Sequence, residues 1–163
     1  MNFQKINEFR ILHKKSITNR VHQWRLFKKK IVFTNGCFDI LHKGHLDYLS
    51  EARNLGDILI IGLNSDASVR KLKKGSNRPI HGQDARAAML ASLIFVDAVI
   101  PFEEETPLAL IELIKPDVLV KGADYETNQI VGAEYVNSYG GVVHRIPLTE
   151  GFSTTAILDK LSK

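Results

Sequence analysis

Beyond residue 30 the chain alternates short apolar runs with stretches in which apolar residues return every three or four positions. The runs Ile31 to Phe33, Ile58 to Leu63, Ala98 to Ile100, Val118 to Val120 and Val142 to Ile146 read as strands. Helical spacing predicts helices near 43–55, 83–94, 107–115 and 131–139, with Leu46, Leu49, Ala52 and Leu55 forming the apolar stripe of the first. Thr106 reads as an N-cap with Pro107 at the first helical position, and Pro116 closes the same helix. Strands alternating with helices build a parallel sheet covered on both faces. The expected class is α/β, a doubly wound five-stranded parallel sheet.

Residues 1–29 carry no strand signal. Lys14, Lys15, Arg20, Arg25, Lys28 and Lys29 are interspersed there with Phe9, Ile11, Val21, Trp24 and Phe27, the composition of one or two basic amphipathic helices. Ser16 or Thr18 is expected to open the second. The segment reads as a basic helical extension lying on the surface of a domain at 30–163 or forming a dimer contact. Its apolar residues predict a homodimer that covers them.

The chain's 163 residues, 44% hydrophobic and 25% charged, suit one well-buried domain. A net charge of +4 is compatible with nucleic acid, but without an aromatic-rich basic surface it fits phosphorylated small molecules better, so no nucleic-acid partner is expected. Cys37 is the single cysteine, which excludes an intrachain disulfide and agrees with a reducing cytoplasm. Neither a signal peptide nor a membrane helix is legible, so a soluble cytoplasmic protein is expected.

Chemistry concentrates where the first strand hands the chain to the first predicted helix, in Thr34-Asn35-Gly36-Cys37-Phe38-Asp39-Ile40-Leu41-His42-Lys43-Gly44-His45. A helix N-terminus presents unpaired N–H groups and a partial positive charge, and Gly44 lets an anion lie against the backbone. His42 and His45 are suited to donate hydrogen bonds to phosphate oxygens there, with Asn35, Gly36, Cys37 and Phe38 forming the turn and Asp39 placed to orient an imidazole or a substrate hydroxyl. No Cys or carboxylate spacing suggests a metal ligated by this pair, so no protein metal site is expected.

In a doubly wound sheet, ligands bind beyond the carboxyl ends of the strands. Asn64 and Asp66 follow the second strand, Asp66 as a candidate helix cap. Lys121 and Gly122 end the fourth strand, where a lysine needs an anionic partner, either ligand phosphate or Asp124 or Asp39. Asp124 and Tyr125 are candidates for a sugar pocket. Ser153, Thr154 and Thr155 open the last helix as caps or as a second phosphate contact. Lys71, Lys73, Lys74 and Arg78 lie in a segment able to fold over phosphates, and Arg86 on the next helix is placed to reach the site or to form a surface salt bridge.

HxGH after a strand marks the nucleotidyltransferase superfamily, which has a Rossmann-like fold. The longer string TNGCFDILHKGH, with GLNSDASV, KGSNRPI, DAVIPFEEETP, PDVLVKGADY and EGFSTT in order over residues 30–161, resembles the D-glycero-β-D-manno-heptose 1-phosphate adenylyltransferases of lipopolysaccharide core synthesis. The resemblance implies transfer of AMP from ATP, accompanied by Mg²⁺, to a sugar 1-phosphate, giving ADP-heptose and pyrophosphate. It places the β- and γ-phosphates of ATP at Ser153–Thr155, favours phosphate binding by Arg78 and points to dimers; for the reaction it implies, His42, His45 and the strand-ending Lys121 are the catalytic candidates. The glycerol-3-phosphate cytidylyltransferases, which share the superfamily fold, carry an arginine where Leu148 stands here. That departure turns the reading from the cytidylyltransferases toward the heptose enzymes. A non-catalytic nucleotide- or RNA-binding module is the alternative of another class, disfavoured by the intact histidine pair and helix-opening hydroxyls.

Overall fold

The computed structural model describes residues 3–72 and 78–161. Lys73 and Lys74 therefore lie outside the described residues. Five parallel strands, β1 (Ile31–Gly36), β2 (Ile58–Asn64), β3 (Ala98–Phe102), β4 (Val118–Gly122) and β5 (Val142–Ile146), pair in the order β3-β2-β1-β4-β5. This is the expected Rossmann-like α/β fold. The order reverses between β1 and β4, and the crevice beyond their carboxyl ends is where such a sheet binds ligands.

The inner strands open on apolar runs because both faces are covered there, whereas the edge strand β5 carries His144 and Arg145 and is partly exposed. Ile31 and Phe33 pack with Ile60 and Leu119 on one side, while Val32, Leu59, Ile61 and Val120 pack on the other. Helices α3 (Lys43–Asn54) and α5 (Gln83–Ala91) supply Leu49, Ala52, Ala87 and Leu90 to the second cluster; α6 (Leu108–Ile114) and α7 (Ala133–Ser138) supply Leu110, Ile111 and Val136 to the first. The short α4 (Asp66–Lys71) follows β2, and α8 (Thr154–Leu161) ends the described chain.

Some boundaries differ from those the sequence suggests. Pro107 rather than Thr106 supplies the capping carbonyl of α6, accepting the N–H of Leu110 and of Ile111 at 3.0 Å each, so Thr106 stays outside the helix. The helix expected from 131 starts only at Ala133, because Gly132 has a left-handed φ of 86°. Asp66 is not a cap: the Oγ of Ser65 accepts the N–H of Ser68 at 3.1 Å. The second N-terminal helix opens at Lys14, earlier than Ser16 or Thr18, and the Ser16 hydroxyl bonds both the N–H and the C=O of His13 at 3.0 Å.

The N-terminal segment is part of the domain's packing rather than an appendage on its surface. Between α1 (Phe3–Arg10) and α2 (Lys14–Leu26), Ile11 bridges Val99 and the N–H of Leu12 donates to the Val99 carbonyl at 2.9 Å. Leu12 and Ile17 join the core, with Ile17 at 0% exposure, and Val21 and Trp24 pack against it. Arg25 donates to both oxygens of Asp117 at 2.6 and 2.8 Å, and Asp117 also accepts the N–H of Ile31 at 2.7 Å, which ties α2 to the start of the central strand. Apolar residues expected to await a partner are thus partly used within the chain, while Phe9, Leu26 and Phe27 remain exposed.

Truncating a fully buried isoleucine loses its transfer free energy and leaves a cavity. Ile17→Ala should therefore lower unfolding stability by about 2–5 kcal/mol in urea titration. A change below about 0.5 kcal/mol, the scale of surface substitutions, would show that the extension contributes nothing to the core.

Candidate active site

The carboxyl ends of β1 and β4, the first turn of α3 and the start of α8 enclose a cavity of about 670 Å³. It is built around an unusual turn. Phe38 and Ile40 both take left-handed φ values, 47° and 57°, and Asp39 lies between them with 1% exposure. Such conformations are unfavourable for side chains of this size and persist only where tertiary contacts impose them. Here the contacts centre on Asp39, whose side chain accepts from Arg78 Nε at 2.6 Å, from Ile80 N at 2.9 Å and from His81 N at 3.0 Å.

The turn delivers His42 as the N-cap of α3 and His45 one turn on, their rings stacked with centroids 3.9 Å apart at 22°. Phe38 sets its ring edge against His45 at 5.3 Å. A Cβ on Gly44 would approach His42 Nδ1 and Phe152 Cβ to 3.1 Å each, so the missing side chain keeps the floor of the cavity open. Burial holds the His42 imidazole below its ordinary value of 6.5, so the ring is neutral at pH 7 and acts through hydrogen bonds rather than charge. Its Nδ1, like Asn35 Oδ1, is buried with no hydrogen-bond partner among the described residues, as in a polar site shaped for a ligand.

Around this pair the sheet and the last helix place further groups. Lys121 Nζ donates to the Asn35 carbonyl at 3.2 Å and lies 5.4 Å from the Tyr125 ring. Ser153 caps α8, accepting from Ala156 N at 3.0 Å, while Thr154 Oγ1 donates to the Asp39 carbonyl at 2.7 Å and locks α8 to the histidine turn. Asn35, Gly36, Cys37, Phe38, Asn64, Arg78, Gly122, Asp124, Tyr125 and Thr155 also line the cavity.

Two expected site residues stand elsewhere. Arg86 has 0% exposure and does not line the cavity; its guanidinium donates to the carbonyls of Cys37, Asn64 and His81 and to Asp66 Oδ1, at 2.7–2.9 Å. Asp66, as the partner of that guanidinium, likewise faces away from the cavity. Both act as a brace under the cavity wall, because a buried arginine must have its donors satisfied. Sequence reasoning also missed lining residues. Tyr48 is buried on α3 with its OH 2.7 Å from Thr34 Oγ1, one helical turn beyond His45 and next to Leu49 of the predicted stripe, and that spacing from His45 was a usable signal. Thr149 reaches back to Asp47 Oδ2 at 2.9 Å, and Phe152 and Leu148 form an apolar rim. Among the described residues no three His, Cys, Asp or Glu side chains converge as a metal cage.

Comparison with known proteins decides the class. The profile described as cytidylyltransferase-like matches residues 33–160. The chain belongs to the cytidylyltransferase-like family. It is a nucleotidyltransferase, and the cavity at its topological switch point is the candidate active site. It is 51% identical over 165 positions to the bifunctional protein HldE of Campylobacter jejuni subsp. doylei, covering 99% of this chain and 35% of that protein. The corresponding protein of Geobacter sulfurreducens is 55% identical over 135 residues, covering 83% and 27% respectively. The chain thus spans between about a quarter and a third of the length of these relatives. The crystal structure of a lipopolysaccharide core biosynthesis protein from Thermoplasma volcanium matches with a TM-score of 0.60 and 31% identity, over 74% of this chain and 97% of that one.

A histidine held below its ordinary value makes the unfolded chain the better proton acceptor. Stability from His42 is full above pH 6.5 and is lost as pH falls from there to the depressed value. Urea midpoints across this window should fall with pH in the wild type and less so in His42→Gln; identical pH profiles would show that His42 is not desolvated.

Proposed function

We propose that the protein transfers AMP from ATP to D-glycero-β-D-manno-heptose 1-phosphate, releasing ADP-heptose and pyrophosphate for lipopolysaccharide core synthesis in the cytoplasm. The observation that carries this reading is the convergence of two stacked imidazoles, Lys121, Arg78 and the opening turn of α8 on one cavity. The motif string from TNGCFDILHKGH to EGFSTT, and the likeness to the lipopolysaccharide core biosynthesis protein of Thermoplasma volcanium, support the substrate class.

In this reaction an oxygen of the sugar phosphate attacks the α-phosphorus of ATP. One O–P bond forms, the bond to the bridging oxygen breaks, and its electron pair leaves with pyrophosphate. The attacking oxygen is already ionised near neutral pH, so no base is needed. The protein's work is to hold two anions together and to meet the charge that grows in the transition state. His42 and His45 donate to phosphate oxygens, and because the His42 ring is neutral the pair avoids the repulsion that two imidazolium rings would feel at 3.9 Å. Lys121 and Arg78 supply positive charge, and the α8 N-terminus, with Ser153 and Thr155, receives the departing phosphates. Asp124 and Tyr125, at the mouth beside Lys121, face the sugar. Asp124 and Glu105 are the cavity carboxylates that would hold a hydrated Mg²⁺ accompanying ATP, since Asp39 is already engaged; such an ion, reluctant to dehydrate, would keep much of its water and would offset phosphate charge.

Pyrophosphate release with ATP or CTP, each paired with the heptose 1-phosphate or with glycerol 3-phosphate, tests the assignment. ATP with heptose 1-phosphate should be the productive pair, and His42→Ala or His45→Ala should lower its turnover by about 10²–10³. Preference for CTP with glycerol 3-phosphate would replace this reading by the cytidylyltransferase one. The exposed Phe9, Leu26 and Phe27 further support a homodimer. Light scattering should give twice the 18.3 kDa chain mass, and a monomer at high micromolar concentration would contradict it.

A further inference from the structure

Asp39 sits in the middle of the histidine turn, facing the cavity wall, and its position invites the assumption that it touches substrate. Its environment argues otherwise. The side chain has 0% exposure, and both oxygens are already engaged: Oδ2 accepts from Arg78 Nε at 2.6 Å and Ile80 N at 2.9 Å, and Oδ1 accepts from His81 N at 3.0 Å. Burial alone would raise the carboxyl, but these backbone bonds together with the Arg78 bond and charge outweigh it and hold Asp39 below the ordinary carboxylate value. A carboxylate stabilised in this way gains little from a sugar hydroxyl or a hydrated cation.

Arg78 is the other half of the arrangement. It reaches the cavity from a segment distant in sequence, with a side chain only 10% exposed. The contact with Asp39 uses Nε, and no described residue bonds Nη1 or Nη2. The fork of an arginine is rigid and planar, so fixing Nε fixes the direction of the two terminal nitrogens, the ends that bind a phosphate bidentately. Asp39 also anchors the backbone that follows Arg78 through Ile80 and His81, so the guanidinium and its supporting chain are held by one carboxylate.

We propose that Asp39 is a positioning residue which aims the Arg78 guanidinium at the phosphates of the bound substrates and does not itself contact them. This rests on the nucleotidyl-transfer reading of the cavity. If Asp39 acts only through Arg78, its effect disappears once Arg78 is gone. Asp39→Asn and Arg78→Ala should each lower kcat/KM for pyrophosphate release by about 10²-fold, the scale of a misplaced positioning group. The double variant should be no worse than Arg78→Ala alone, giving a coupling equal to the whole Asp39 effect. An additional loss of the same size from Asp39→Asn in the Arg78→Ala background would overturn the proposal. So would Asp39→Asn with unchanged kcat/KM. Should Asp39→Asn fail to fold, the wild-type protein answers through the nitrogen-resolved NMR signals of its arginines, with Arg78 assigned by their loss in Arg78→Ala. Titration with inorganic pyrophosphate should shift the Arg78 Nη signals while leaving its Nε proton protected from exchange. A rapidly exchanging Nε proton, or Nη signals that do not move, would refute the arrangement. Because that titration needs no turnover, it separates failure of this inference from failure of the substrate assignment, which the four-way pyrophosphate assay reads.

Discussion

The site depends on one buried carboxylate. Asp39 gathers the histidine turn, the segment from Arg78 to His81 and, through its backbone carbonyl, Thr154 at the start of α8, 115 residues further along the chain. Each partner would otherwise be a surface loop end with freedom to move. The left-handed backbone at Phe38 and Ile40 is the conformational consequence: the turn is forced into a shape that points the Asp39 side chain inward and delivers His42 to the cap of α3. Such conformations persist where tertiary contacts impose them, and the bond from Thr154 to the Asp39 backbone carbonyl holds the turn whatever side chain stands at 39.

Beneath it, Arg86 does for the scaffold what Asp39 does for the turn. Its guanidinium joins the Cys37, Asn64 and His81 carbonyls and the Asp66 carboxylate, so the ends of β1 and β2 and the approach to α5 move as one. The charges are thereby divided. Arg86 is neutralised inside the protein, whereas Arg78 and Lys121 border the same cavity as the neutral imidazole of His42. Two phosphorylated substrates need cations at the periphery and hydrogen-bond donors at the point of reaction, since charge placed directly on a stacked histidine pair would be self-repelling.

Much of this was legible in the sequence, and the gaps have physical causes. The five strands were readable because a parallel sheet covered on both faces demands continuous apolar runs, and Ile58 to Leu63 satisfies that demand plainly. The histidine pair was readable because glycine-punctuated strand-to-helix turns have few other uses. Burial of an arginine was not readable: Arg86 lies on an amphipathic helix where charge normally means solvent, and only the tertiary arrangement of three carbonyls makes its interior position favourable. The same holds for Asp66 and Asp39, whose partners come from residues 20 and 39 positions away. Boundaries shifted where backbone geometry overrode composition, as at Pro107 and Gly132. Trp24 and Val21 looked like a waiting interface because nothing in a linear pattern tells a helix that packs on its own sheet from one that packs on a partner.

The central claim is that the phosphates of a nucleotide lie between the histidine pair and the N-terminus of α8. The crystallographic position of a non-hydrolysable ATP analogue tests it most directly. The account predicts phosphate oxygens at about 3 Å from ring nitrogens of His42 and His45, ordinary hydrogen-bond distance, with the terminal phosphates against Ser153 and Thr155. A nucleotide seated instead in the shallow groove formed by Asp66 and residues 82–85, with the cavity between β1 and β4 unoccupied, would contradict it.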